Sequence, residues 1–182
     1  MMSHGVLPAQ SLRRLMAEGA ITADPAIIEA QVQPASLDLR LGTIAYRVRS
    51  SFLTGPGRTV AERLAEIEMH RVDLTQGAVL EKGCVYVIPL MERLSLPAGI
   101  TAVANAKSST GRMDLLTRTI TDGGTEFDRI PEGYDGPLYA EVCPKSFSVL
   151  VRPGMRLNQI RFRHGQAVLT DAELTSLHAQ DP

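Results

Sequence analysis

Short alternating runs, cut off from one another by turns rich in proline and glycine, fill most of this chain and leave little room for helices. Ser36-Leu37-Asp38-Leu39-Arg40-Leu41 alternates strictly and stops at Gly42, the pattern of a half-buried strand. Further strands are expected over 85–90, 100–104, 115–121, 138–143, 148–151 and 157–162. Leu96-Pro97-Ala98-Gly99, Asp122-Gly123-Gly124, Pro131-Glu132-Gly133 and Arg152-Pro153-Gly154 supply turns between them. Helices are few. Over 8–18, Leu12, Leu15 and Met16 fall at helical spacing with Gly19 as the stop. Over 59–68, Thr59 is a cap and Val60, Leu64 and Ile67 share a face, and a last helical turn is expected over 170–177. So many strands with so few helices exclude βαβ units and predict a mainly β barrel or double-sheet roll.

At 182 residues the chain suits a single domain with its own core. An apolar fraction of 44% and a charged fraction of 21% exclude disorder. The net charge of −1 gives no global attraction to nucleic acid or anionic membranes, although it leaves room for a local basic pocket. No apolar run approaches the ~20 residues that span a bilayer. Residues 1–8 lack the basic start and apolar stretch of a secretory signal, so a cytoplasmic protein is expected. Cys84 and Cys143 then read as buried thiols.

His4, His70, His164 and His178 are scattered, and no His-x-Glu precedes a Pro-Cys-x-x-Cys, the zinc set of many nucleobase deaminases. No protein-held metal, zinc included, is expected. The glycine patterns of Rossmann and Walker sites do not occur either.

Two features can carry chemistry. Lys107-Ser108-Ser109-Thr110-Gly111-Arg112 gathers two cations, three hydroxyls and a glycine after an apolar strand. Such a turn can cradle phosphate oxygens, but composition alone favours a solvated loop whose serines cap a following helical turn. Glu141 lies in Leu138-Tyr139-Ala140-Glu141-Val142-Cys143. With Leu138, Ala140 and Val142 on one face, Glu141 shares the other with Tyr139 and Cys143. A carboxylate among apolar residues suits general acid/base work, and the commoner alternative is a strand glutamate facing solvent or an arginine.

In order and spacing these segments resemble the deoxycytidine-triphosphate deaminases, within the superfamily they share with trimeric dUTPases. That family's Arg-Ser-Ser-x-x-Arg is followed by a Gly-aromatic-x-Gly turn and, five residues on, by the catalytic glutamate. Here residues 107–112 precede Gly133-Tyr134-Asp135-Gly136, and Glu141 has that offset. Pro34-Ala35-Ser36-Leu37-Asp38-Leu39-Arg40-Leu41-Gly42, Leu94-Ser95-Leu96-Pro97 and Leu150-Val151-Arg152-Pro153-Gly154-Met155 match further family signatures.

The resemblance implies a dUTPase-like (β-clip) distorted barrel or double-sheet roll with short peripheral helices. It spans one domain over 1–182, with an N-terminal helix over 8–19, a core over 32–165 and a tail over 166–182. It implies an enzyme of nucleotide metabolism and dUTP biosynthesis that hydrolyses dCTP to dUTP and ammonia without zinc. Glu141 would be the general base, Ser108 would orient the water, and Arg112 would hold charge near the carboxylate. Lys107, Ser109, Thr110, Gly111 and Arg129 would contact the nucleotide, with backbone at Tyr139 and Ala140 reading the pyrimidine. Magnesium would arrive with the triphosphate. A homotrimer with shared sites is implied, with neither nucleic acid nor membrane as partner.

The chain also departs from that family. Lys107 replaces an arginine, and Glu126-Phe127-Asp128-Arg129-Ile130-Pro131-Glu132-Gly133 stands for Thr-Ala-His-Arg-Ile-Asp-Pro-Gly. Phe127 thus replaces alanine, and Pro131 replaces an aspartate that dUTPases use to activate water, which disfavours a dUTPase-type pyrophosphatase. The family's C-terminal closing segment is absent after Phe162. The chain therefore reads as half of a tandem deaminase or as a standalone divergent member. A nucleotide-binding or trimer-scaffolding module with little turnover is the alternative to the enzyme.

Overall fold

A computed structural model describes residues 4–165 and 168–180. The turns form where proline and glycine direct them. At Pro97-Ala98-Gly99 the Ile100 amide donates to the Pro97 carbonyl at 3.3 Å, and Gly99 takes φ +80°, which a side chain would resist.

In chain order the elements are β1 (Gly5–Val6), α1 (Ala9–Ala17), β2 (Ile21–Ala23), β3 (Val32–Gln33), β4 (Ser36–Leu39), β5 (Ile44–Val48), α2 (Val60–Ile67) and β6 (Glu68–Asp73). They continue with β7 (Ala78–Leu80), β8 (Val85–Ser95), β9 (Ile100–Ala106), α3 (Ser108–Arg112), β10 (Leu115–Thr121), β11 (Arg129–Ile130), β12 (Asp135–Pro144), β13 (Val149–Val151), β14 (Asn158–His164) and α4 (Asp171–Gln180). One sheet runs β11-β9-β14-β4-β3 with β1 on β14. The other runs β10-β12-β8-β5-β6 with β2 on β8, and β7 pairs with β13. Every pairing is antiparallel, as in the expected mainly β roll, and neither sheet closes on itself.

The main core lies between the sheets. Leu37, Leu39, Ala102, Ala104, Ile160 and Phe162 of the first sheet join Tyr86, Ile88, Leu138, Ala140 and Val142 of the second. The intervening residues point outward, and there Val48, Val87, Ile120 and Tyr139 form a second cluster with Phe52, Val60 and Leu64. Helix α2 and the segment before it thus cover the outer face of the second sheet. Thr59 caps α2, its hydroxyl accepting from the Glu62 amide while Glu62 accepts from the Thr59 amide.

Strand β4 corrects one expectation. All four residues of β4 are buried, so it is not a half-buried strand. Its aspartate is paired rather than solvated: Asp38 Oδ2 meets Lys107 and Arg156, while Oδ1 is buried without a hydrogen-bond partner. Strands β5, β6 and β7 form where none was expected. Cys143 is buried and Cys84 half-buried, both as free thiols. Among the described residues no helix is long and apolar enough to cross a membrane.

Candidate active site

Strand β12 lies between β10 and β8, and its register sets Glu141 opposite Arg118 on one side and Val87 on the other. Glu141 is 1% exposed. A buried carboxylate is costly unless paired, and the pairing comes from Arg118. The guanidinium donates from Nε at 3.1 Å and from Nη2 at 2.5 Å, both to Oε1. Oε2 is buried and has no hydrogen-bond partner. Arg118 Nη2 also donates to Ser51 Oγ at 2.9 Å, and its guanidinium carbon lies 3.8 Å from the centre of the Phe127 ring. Phe127 itself packs against the second apolar cluster.

Asp128 follows with φ +63°. Its amide donates to the Thr119 carbonyl at 2.9 Å, and its carbonyl accepts from the Ala104 amide at 2.8 Å, so it bridges β10 and β9. Its Oδ1 accepts from the Thr119 amide at 2.7 Å. Burial pushes this carboxyl above the ordinary aspartate value, against the pull of the Thr119 amide and Arg118, while Glu141 pushes the same way as burial. One cation, Arg118, therefore stands near two carboxylates.

The hydroxyl-rich segment lies elsewhere in the chain's architecture. Residues 108–112 form α3 rather than an open loop. Lys107 engages the buried Asp38, and the Thr110 hydroxyl donates to the Leu157 carbonyl at 3.0 Å, so both are committed within the fold. Ser108, Ser109, Gly111 and Arg112 are exposed. None of the Glu141 hydrogen bonds comes from this segment. Within one chain the cation on Glu141 is Arg118, not Arg112.

Arg129 is exposed, pairs with Glu126 at 3.1 Å, and lines a cavity of about 400 Å³ together with Arg163 and Thr101. Tyr139 and Ala140 are flanked on both sides by partner strands. The β12–β8 register shifts beside them, between Pro137 and Tyr139. Arg118, Ser51 and Asp128 escaped the sequence reading. The signal that could have found Arg118 is a lone cation amid Leu115-Leu116-Thr117-Arg118-Thr119-Ile120-Thr121.

Residues 3–166 match the family described as the 2'-deoxycytidine 5'-triphosphate deaminase (DCD) N-terminal domain. The crystal structure of a 2'-deoxycytidine 5'-triphosphate deaminase from Agrobacterium tumefaciens is 53% identical, with a TM-score of 0.92 over 99% of this chain. The chain spans 54% of that protein's length. A dCTP deaminase of Halorubrum lacusprofundi is 28% identical over 150 residues, 81% of this chain and 71% of that protein. A relative from a Sulfurihydrogenibium species, named "dCTP deaminase, dUMP-forming", is 25% identical over 160 residues, 86% of this chain and 82% of that protein.

Proposed function

From the chain's membership of the 2'-deoxycytidine 5'-triphosphate deaminase N-terminal domain family, we propose that it hydrolyses dCTP to dUTP and ammonia, with Glu141 as general base. One observation carries this reading: a sealed carboxylate held by a cation through Oε1 while Oε2 has no partner. An oxygen in that state can take a proton from water and return it to the departing amine. Ser108, Ser109, Gly111 and Arg112 are exposed at the end of β9, free to meet a triphosphate, and their access to a base-bearing site comes through assembly as a homotrimer. Magnesium arrives on the nucleotide. Among the described residues no group of three or more His, Cys, Asp and Glu side chains is arranged to hold a metal ion.

Relatives carry both product names, dCTP deaminase and its dUMP-forming variant. Pro131 in place of a carboxylate supports release at dUTP. A second reading, a nucleotide-binding or scaffolding domain with little turnover, draws on the separation of Ser108 and Arg112 from Glu141 within one chain.

Purified protein incubated with dCTP and magnesium distinguishes these. Ammonia should form without pyrophosphate, and Glu141→Gln should abolish it. Binding of dCTP without ammonia would favour the scaffold. Pyrophosphate release would move the assignment to a dUMP-forming enzyme.

A further inference from the structure

Arg118 lies outside every residue that the family resemblance nominates, yet among the described residues it alone hydrogen-bonds to the Glu141 side chain. We infer that Arg118, braced by Phe127 and Ser51, is the positioning residue of Glu141 and assigns proton transfer to Oε2. The inference rests on the deaminase reading of this site.

The geometry of the fork carries it. A guanidinium facing a carboxylate commonly gives one N–H to each oxygen. Here Nε and Nη2 converge on Oε1. Two donors occupy that oxygen, so a proton arriving there would meet N–H groups already aimed at it. Oε2 is left as the acceptor, buried and unpartnered. A water on that side gives one proton to Oε2 and its oxygen to C4 of the cytosine. Oε2 then returns the proton to the amino nitrogen, and ammonia leaves as the C4–N bond breaks. The proton left on the new oxygen passes to N3, which took the electron pair of the addition, giving the C4 carbonyl of dUTP. A carboxylate free to rotate would present either oxygen, and fixing it removes that ambiguity before substrate arrives.

Arg118 can do this only if it is held itself, since its side chain is 30% exposed. The Phe127 ring covers one face of the guanidinium, and Ser51 Oγ accepts the remaining use of Nη2. The charged groups facing Arg118 are Glu141 from β12 and Asp128 from the segment before β11. Phe127, which in the sequence stands where the family has alanine, thus belongs with Arg118 as one unit.

Steady-state kinetics with dCTP and magnesium, from about pH 5 to pH 9, test this on the full chain with Arg118→Gln, Arg118→Lys and Phe127→Leu. Arg118→Gln should lower kcat by about 10- to 100-fold with KM within about threefold, and move the acidic limb of the kcat/KM profile to higher pH. Lysine, which keeps the charge and loses the fork, should recover part of kcat. Phe127→Leu should lower kcat by roughly threefold to tenfold with the same KM. If Arg118→Gln does not fold, the other two variants carry the same comparison. A kcat for Arg118→Gln within about twofold of the unaltered protein, or a loss confined to KM, overturns the positioning role while leaving the deaminase reading intact. Absence of ammonia from the unaltered protein overturns that reading and this inference with it.

Discussion

Asp128 combines a left-handed backbone with a carboxylate folded back onto the Thr119 amide. Aspartate and asparagine tolerate that conformation better than most residues. Burial raises its carboxyl above the unfolded value despite the amide and Arg118. The folded state therefore holds the proton more tightly than the unfolded one. The stability this group contributes is present below its ordinary value and is lost as pH rises through its raised value. At neutral pH the ionised form is a cost. Asp128→Asn keeps an oxygen for Thr119 and the same backbone preference, so it should melt about 1–4 °C higher at pH 7, with solvent screening holding the effect below ~1 kcal/mol. The gain should vanish near pH 4, and thermal melts across that range check it. A lower melting point at pH 7 would mean that attraction to Arg118 outweighs burial. Glu141 and residues 107–112 were singled out by their order and spacing, through the family resemblance, since each alone reads as structural. Arg118 and Asp128 were not, because their meaning depends on register. Strands β10 and β12 are joined by residues 122–134, too long a connection to fix pairing from turn type. A slip of one residue would set Thr117 or Thr119 against Glu141.

Among the elements, β8 is tied to the residue that follows β4 by a second buried glutamate–arginine pair, and the contrast with Glu141 is informative. Glu92 Oε1 accepts from Arg40 Nε and Gln31 Nε2, each at 2.8 Å, and Oε2 accepts from the Arg40 amide at 2.8 Å. Arg40 spends its other N–H groups on the carbonyls of Ala26 and Pro25. Both Glu92 oxygens are satisfied and Arg40 is buried, so the pair joins elements and offers nothing to a substrate. Removing Glu92 strands a cation that cannot reach water. Glu92→Ala should cost about 3–5 kcal/mol in urea unfolding. Glu141→Gln should cost less than about 1 kcal/mol, since the amide oxygen can still accept from Arg118, which stays partly exposed to water. Equal costs would remove the distinction between a structural and a functional pair. The same network explains why β4 misled the sequence reading: alternation of Leu with Ser and Asp normally marks a solvated face, and here both faces are buried. Helix α2 was legible from Thr59 and its apolar stripe. Strand β6, Glu68-Met69-His70-Arg71-Val72-Asp73, pairs only with β5 at the sheet edge and is largely exposed, so it carries no apolar alternation to read.

For the whole molecule, on the proposed reading the site is divided between two separate parts of one chain. Glu141 is sealed with Arg118, while Ser108 and Arg112 stand exposed on α3. Beside α3, Met113, Phe147 and Leu150 are exposed around an apolar hollow of about 270 Å³, a surface suited to burial against another copy. In the homotrimer proposed above, α3 of one chain would meet the Glu141 region of the next. That arrangement predicts complementation. Glu141→Gln retains Arg112 and Arg112→Ala retains Glu141, and each alone should release little ammonia. Co-expressed, the two form mixed assemblies in which one chain's Glu141 meets another's Arg112. With random mixing, roughly a quarter of the sites combine both native residues, so ammonia release should recover to about a quarter of the unaltered rate. Light scattering on the same samples should give the mass of three chains. Failure to recover in assemblies shown to be mixed would place Arg112 and Glu141 in one chain's site, and would require Arg112 to move to Glu141 when the nucleotide binds.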